Sequence, residues 1–447
     1  MILRYFLPRQ IDGCRGCDYR EYFLCKFSKK LVVNGIFSSR KFHEMMGPDV
    51  CIAERLGGKD FSASPTYKFA KIQQMKADFC ANIPHKDLLD FAIGRPQEMP
   101  SLCAIEAMKM ATSVAANHHY AECGCGAFID AAVRYMKRVF AVDVSPEREL
   151  LPSMGSKNAL IYMALALLNG GDVLLTTTPS YPVLATHAHY LGAQIYAMPL
   201  EGKRQFLPDL GAIPREQLER AKILHLNYPN NPTGACAPLE FFEEAIHFAR
   251  KYNLILLHDA AYGGLYNENY PSRSVLQIPG AKDVSVELHS CSKAHNMTGW
   301  RIGWVCGNEK VVAAYEEVKR NSDSGQFLPI QMGAIAALDD DDFCQTRMAI
   351  YEERASIIGK VFEEKGFTIP QNTHPFFRYM DMPKEVNGRP MATAEAFCQW
   401  LLQECGILLT SWDEVGHNVR ASMTFPTETQ LVATQLRNRL ASVHMRF

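Results

Sequence analysis

Five short runs constrain most strongly what this chain can fold into: DVLLTTT (172–178), AKILHLN (221–227), LILLHD (254–259), VSVELHS (284–290) and IGWVCG (302–307). Each is largely apolar and rich in β-branched residues, as a strand buried on both faces must be. Helical periods lie between several of them, LEFFEEAIHFARKY (239–252) for instance, so the pattern predicts an α/β fold with a parallel sheet. Beyond about residue 340 comes a long amphipathic helical run, RMAIYEERASIIGKVFEEKG, and then a mixed segment ending at Phe447. That part reads as a smaller α+β domain.

At 447 residues, two domains and a large core are expected. A formal charge of −1, from 47 Lys+Arg against 48 Asp+Glu, gives no electrostatic reason to expect nucleic acid or an anionic membrane. Small-molecule chemistry is the better expectation. The 14 Cys follow no repeating spacing and a chain this long needs no disulfide staples, so a reducing cytoplasm is the simplest location. No apolar stretch approaches the roughly 18 residues of a membrane helix.

Residues 1–45 differ from the rest, with nine Lys/Arg, four Asp/Glu and three Cys and no sustained period. They read as an atypical leader outside the natural fold, with Met45 or Met46 as an alternative start; Asp12, Asp18 and Glu21 argue against a transit peptide. Cys14-x-x-Cys17 has no second pair at ribbon spacing, so no metal site is expected there.

The turn signals fall at strand ends, where ligands bind in open α/β sheets. SerMetGlySerLys (153–157) precedes the helical run ALIYMALALL, so the N–H groups of Gly155, Ser156 and Lys157 would face an anion from a helix N-terminus; taken alone, the segment reads better as a simple Ser cap. ThrProSerTyrPro (178–182) offers Tyr181 as an aromatic face, or is simply a Pro-bracketed turn. TyrProAsnAsnProThrGly (228–234) has the prolines and Asn pair of a tight loop that aims one Asn inward. HisAspAlaAlaTyr (258–262) ends a strand on Asp259, a carboxylate that is costly to bury unless it meets a cation. Lys293, in SerCysSerLys (290–293) and followed eight residues later by Arg301, is the cation expected to meet it.

Taken together and in this order, these motifs resemble the class I/II pyridoxal-phosphate aminotransferases of fold type I, over roughly residues 50–447. The resemblance implies pyridoxal 5′-phosphate as cofactor and Lys293 as the catalytic lysine that links to it and shuttles a proton. It implies that Asp259 pairs with the ring nitrogen, that Asn231 and Tyr262 hydrogen-bond the phenolic oxygen, and that Tyr181 stacks on the ring. Phosphate would be held by Ser156 with the amides of Gly155 and Lys157, by Ser290 and Ser292, and by Arg301. Tyr120, in HisHisTyrAlaGlu, matches a tyrosine that reaches the phosphate of the neighbouring subunit, which implies a homodimer with shared active sites. Arg420, in AsnValArgAlaSerMet (418–423), matches the arginine that forks onto the substrate α-carboxylate, a task suited to a planar guanidinium. Gly94 matches a backbone contact to the same carboxylate.

The resemblance further implies domains at 46–100 (a segment joining the small domain), 101–340 (the large cofactor-binding domain) and 341–447 (the small C-terminal domain). Within the class, AERLGGKDF (53–61), TYKFAKI (66–72), SKAHNMTGWRIGW (292–304) and NSDSGQFLPIQ (321–331) resemble LL-diaminopimelate aminotransferases, which use glutamate to aminate tetrahydrodipicolinate on the route to lysine and peptidoglycan. Tyr67, Ser324 and Gln326 are then candidates for the substrate's distal groups, or else loop and dimer contacts. Arg378, in HisProPhePheArgTyr (374–379), departs from the apolar residue frequent in the family. The same constellation would serve an aminotransferase for aromatic amino acids, aspartate or alanine, or a carbon–sulfur β-lyase. A regulatory protein on this scaffold would carry a helix-turn-helix module, for which residues 1–60 show no paired helical periods.

Overall fold

The computed structural model describes residues 52–58, 68–83 and 87–447. The 1–45 leader, Cys14-x-x-Cys17 and Tyr67 lie outside the described residues. The chain divides between Thr66 and Tyr67. On the first side of that division, Glu54–Leu56 forms one 3₁₀ turn closed by Gly57 at φ 108°. All that follows concerns the second.

That unit begins with helix α1 (Lys68–Asn82), strand β1 (Leu89–Asp90) and helices α2 (Leu102–Thr112) and α3 (Gly126–Phe140). Its main sheet then takes β2 (Leu150–Ser153), β3 (Val173–Thr178), β4 (Gln194–Pro199), β5 (Ala221–Asn227), β6 (Ile255–Asp259), β7 (Ser285–Ser290) and β8 (Gly303–Gly307). Helices α4 (Ser156–Leu167), α5 (Val183–Tyr190) and α6 (Leu239–Lys251) interleave with these strands. The sheet order is β2-β8-β7-β6-β5-β3-β4.

All five expected strands form, within a residue of their anticipated limits, because their side chains feed two separate cores. Leu224, Leu226, Leu256, Trp304 and Cys306 pack on one face with Phe128 and Met136 of α3. Ile223, Leu257, Val286, Leu288 and Val305 pack on the other with Leu160 and Met163 of α4. Burial on both faces removes the polar alternation of a half-exposed strand and leaves continuous apolar runs. In α3 the positions 128, 131, 132, 135, 136, 139 and 140 are buried, the three-to-four-residue spacing of one helix face.

The sheet is mainly parallel, as expected, with one strand reversed. β8 runs antiparallel to both β7 and β2. The sequence reading missed β2 and β4. β2 is wholly buried but only four residues long, two of them Pro152 and Ser153, and β4 is an edge strand whose Gln194, Ile195, Ala197 and Pro199 are exposed, so neither shows a long apolar run.

After α7 (Glu309–Arg320) and α8 (Leu328–Leu338), the long helix α9 spans Asp341–Glu363. It starts six residues before the run expected from periodicity, because the Asp340 carboxylate accepts from the Phe343 N–H and caps it there. Strands β9 (Phe377–Asp381), β10 (Glu385–Val386), β11 (Arg389–Pro390), β12 (Ile407–Leu408), β13 (Thr410–Trp412), β14 (Asn418–Ser422) and β15 (Met445–Arg446) complete the chain with helices α10 (Ala394–Trp400) and α11 (Thr429–Leu440). β13-β14-β9 and β11-β10-β15 are antiparallel sheets, and β1 pairs with β12 in parallel through Leu89↔Ile407. A further core, including Met348, Ile358, Phe397, Val419 and Leu436, lies among these elements. Among the described residues no helix is long and apolar enough to cross a membrane.

Candidate active site

A cavity of about 370 Å³ opens where the strands of the main sheet end, lined by Phe69, Ile93, Gly94, Ser156, Lys157, Tyr181, Asn227, Asn231, Asp259, Ala261, Tyr262, Ser290, Ser292, Lys293, Thr298, Arg301, Phe377 and Arg420. β5, β6 and β7 deliver Asn227, Asp259 and Ser290 as their last residues. The reversal of β8 brings its beginning to the same edge, which is why Arg301, ahead of that strand, joins residues that follow theirs.

The loop after β5 is locked by its own asparagines. The Asn230 carboxamide oxygen accepts from the Thr233 N–H (3.1 Å) and hydroxyl (2.8 Å), while the Asn227 side chain accepts from the Asn231 N–H (2.9 Å) and donates to the Asp259 carbonyl (2.7 Å). Asn231 is thereby turned inward, as the sequence predicts. Asn227 was not anticipated; its position as the final residue of an apolar strand is the signal that marks it.

Behind β2, Gly155 caps α4 at φ 76°, a conformation that favours glycine. A Cβ there would lie 2.7 Å from Nη2 of Arg301, so the glycine lets the guanidinium close over the helix N-terminus. The cap is this glycine rather than a serine. Arg301 itself has φ 56° and donates from Nη1 to the Thr298 carbonyl (2.7 Å) and the Ser292 hydroxyl (3.4 Å). The Ser290 hydroxyl accepts from the Ser292 N–H at 3.2 Å. Two serines, an arginine and a helix N-terminus make this end of the cavity a cradle for a phosphate-like dianion.

Lys293 sits in the short helix Cys291–Ala294 just after β7 and donates from Nζ to the Gly94 carbonyl at 2.6 Å. The expected Lys293–Asp259 ion pair is not formed: Asp259 enters no ion pair with a described residue, and its carboxylate accepts from the Ala261 N–H at 3.3 Å. The physical reason is the lysine's nearer acceptor at Gly94. Burial pushes the Asp259 carboxyl up to about 6, against the opposing effects of His258 and the Ala261 N–H. Burial, with Arg420, Arg301 and Arg95, lowers the Lys293 ammonium to about 7. Above neutrality the site therefore offers a free amine and a carboxylate awaiting a cation.

Arg420, on β14, is 1% exposed. Nη1 donates to Asn231 Oδ1 (2.6 Å), Nη2 to the Ala92 carbonyl and to the Thr410 hydroxyl (3.4 Å), and the guanidinium lies 4.4 Å from the Phe377 ring centre. Its Nε has no hydrogen-bond partner among the described residues, an orphaned buried donor on a side chain that lines the cavity. Tyr262 is buried against Phe376 and Phe377, with ring centres 5.1 and 5.4 Å away, and burial raises its hydroxyl pKa. Gly94 has no room for a side chain, since a Cβ would lie 2.8 Å from the Phe377 ring. Phe69, 6.3 Å from Tyr181 between ring centres, and Phe377 are lining residues not singled out in the sequence. Arg378 points away from the cavity and donates to the Ala355 and Phe377 carbonyls.

Tyr120, Ser324 and Gln326 do not line this cavity. They line a shallow, open surface with His118, His119 and Phe327, where Tyr120 is 84% exposed. The Ser324 carbonyl accepts from the Glu122 N–H, and the Gln326 amide donates to the Trp300 carbonyl.

The fold and the cavity together define an aminotransferase: the chain belongs to the class I and II aminotransferases, the family matched by residues 86–435, which uses pyridoxal phosphate to act on amino acids and keto acids. Among curated proteins it is 41% identical to the LL-diaminopimelate aminotransferase of Methanocaldococcus jannaschii over 375 residues, 83% of this chain and 90% of that one. It is 39% identical to the enzyme of the same name from Methanococcus maripaludis over 407 residues, 88% and 98% of the two chains. Among solved structures, substrate-bound BacF from Bacillus subtilis superposes with a TM-score of 0.79 at 28% identity, covering 88% of this chain and 97% of that one. An aspartate aminotransferase mutant from Thermus thermophilus shares the fold, with a TM-score of 0.77 over 88% and 99% of the chains at 23% identity.

Proposed function

We propose that this protein is an LL-diaminopimelate aminotransferase, moving an amino group between LL-diaminopimelate or tetrahydrodipicolinate and glutamate or 2-oxoglutarate in lysine and peptidoglycan precursor synthesis. The observation that carries the substrate assignment is the 41% identity to a protein of that name along 90% of its length. The cavity supports the chemistry.

The residues present fit pyridoxal phosphate. Lys293 offers a desolvated amine, Asp259 a buried carboxylate without a cation, and the Arg301 cradle, open because Gly155 has no Cβ, suits the phosphate. Asn231 and Tyr262 would hold the phenolic oxygen, Tyr181 would face the ring, and Ser156, Lys157, Ser290 and Ser292 would complete the phosphate contacts. When bound, the cofactor supplies an electron sink for the pair left behind as the substrate Cα proton departs. Lys293 would accept that proton and return it, a task suited to an amine whose pKa lies near the working pH. Arg420, with its unpartnered Nε and the Gly94 backbone nearby, would bind the α-carboxylate and orient the Cα–H bond.

The active form would be a homodimer in which Tyr120 reaches the neighbouring copy's phosphate. Its 84% exposure, with Leu102 and Met110 of α2 also exposed, supports that placement, and Ser324 and Gln326 on the surface shared with Tyr120 would act across the dimer. The test is a coupled assay with LL-diaminopimelate and 2-oxoglutarate that follows glutamate while recording the bound cofactor's visible band. Turnover with bleaching of the band is expected. A band responding only to other amino acids would discard diaminopimelate, and pyruvate release without an amino acceptor would indicate a lyase.

A further inference from the structure

Beneath the cavity floor lies a buried group of side chains with no place in the roles assigned so far. Glu287 on β7 is wholly buried; its Oε2 accepts from the Val275 N–H (2.9 Å) and contacts His258 Nδ1 (2.8 Å), and its Oε1 contacts His289 Nε2 (2.6 Å). The other nitrogen of His258, Nε2, lies 3.1 Å from the Tyr228 carbonyl oxygen. A carbonyl can only accept, so Nε2 must carry a proton. Nδ1 faces a carboxylate oxygen that already takes one N–H, and it meets that oxygen best as a donor.

We propose that Glu287 holds His258 as an imidazolium, and that this buried cation is a positioning charge that keeps the neighbouring Asp259 ionised opposite the cofactor's ring nitrogen. The proposal rests on the assignment of Asp259 to that nitrogen. Among the described residues packed around His258, the other rings and hydroxyls are otherwise engaged. On β5, His225 shares its Nδ1 with the Thr176 hydroxyl (2.9 Å) and is driven down to about 3 by burial and by His258, so it stays neutral. Tyr228, also beside β5, spends its hydroxyl on the Phe206 carbonyl, and α6 presents only the Phe242 ring, 4.9 Å away. On β7, His289 stacks on Trp304 with ring centres 4.9 Å apart and planes at 10°, leaving Nε2 to donate to Glu287. Glu287, which burial alone would neutralise, is held well below the usual carboxylate range by His289 and His258. The Glu287 carboxylate thus lies between two imidazoles, and of these His258 is the one joined through the β6 backbone to Asp259, whose carboxyl burial pushes up and His258 pushes down.

The test uses holoenzyme labelled with ¹⁵N-histidine, the His258 signals being assigned by their loss in His258→Gln. Both ring nitrogens are expected to carry protons in the working enzyme; a neutral imidazole there would overturn the proposal even if no variant folds. With cofactor labelled at the ring nitrogen, Glu287→Gln is expected to make His258 neutral, to move the ring-nitrogen signal toward its unprotonated position as the shared proton shifts onto Asp259, and to reduce kcat more than KM, with Glu287→Asp restoring the signal. An unchanged ring-nitrogen signal beside a neutral His258 would overturn the link to Asp259. A ring nitrogen that stays protonated in Asp259→Asn would instead overturn the assignment of Asp259 itself.

Discussion

Arg420 and Asn231, 189 residues apart in sequence, form one buried unit, with Nη1 donating to Oδ1 at 2.6 Å. Through this contact the group proposed to grip the substrate's carboxylate also holds the group proposed to face the cofactor's phenolic oxygen. Arg420→Lys keeps a charge but loses the fork and strands Asn231. KM for both the amino and keto substrates should rise about 100-fold, roughly 2.7 kcal/mol, in steady-state kinetics. A change confined to kcat would argue against the carboxylate role.

Lys293→Ala should abolish transfer while leaving the cofactor bound only noncovalently. Mass spectrometry after borohydride reduction reads the result directly: the wild type gains the cofactor's mass and the variant does not. Normal turnover by the variant would overturn the proposed chemistry.

Asp259→Ala should slow transfer by about a thousandfold and weaken cofactor binding, because no buried anion then sustains the ring nitrogen's proton. Single-turnover absorbance and cofactor titration measure the two effects separately.

The lowered pKa of Lys293, about 7 against an ordinary 10.5, has a sign that can be checked in the apoprotein. Between those two values the unfolded chain binds more proton at this site than the folded one, so this lysine makes stability rise with pH across that window. Lys293→Met should flatten the rise, by an amount on the order of a few kcal/mol, in melts compared with wild type from pH 7 to 10. Cofactor capture, which needs the free amine, should accelerate through pH 7 and level off above it.

Gly155→Ala places a methyl 2.7 Å from Arg301 Nη2 at a φ of 76°. Displacing the guanidinium should raise the dissociation constant for pyridoxal phosphate at least about tenfold, with little effect on the melting of apoprotein. Equilibrium dialysis decides it.

The parts of the fold that were legible in the sequence share one property. β3, β5, β6, β7 and β8 are buried on both faces, and three of them end on polar residues that reach the cavity, Asn227, Asp259 and Ser290. A polar side chain at the end of such a run or in the loop just after it stands out, as Asp259, Ser290, Lys293 and Asn231 do. The direction of β8 was not legible, since an apolar run looks alike read either way. Nor was Lys293's attachment to the Gly94 carbonyl, because that acceptor is main chain and 199 residues distant. Phe69 and Phe377 were indistinguishable from core aromatics until packing placed them on the cavity.

The pairing of Leu89 with Ile407 sets an order of events during synthesis. The carbonyl of Ala92, two residues before Gly94, accepts from Thr410, Arg420 and Ser422. While a ribosome is still making the chain, the large sheet can emerge and close on itself, yet the strand that anchors Gly94 has no neighbour until more than three hundred further residues have appeared. The nascent protein thus carries Lys293 before it has the groups proposed to hold a substrate's carboxylate, and competence for the reaction arrives only once Arg420 has been translated.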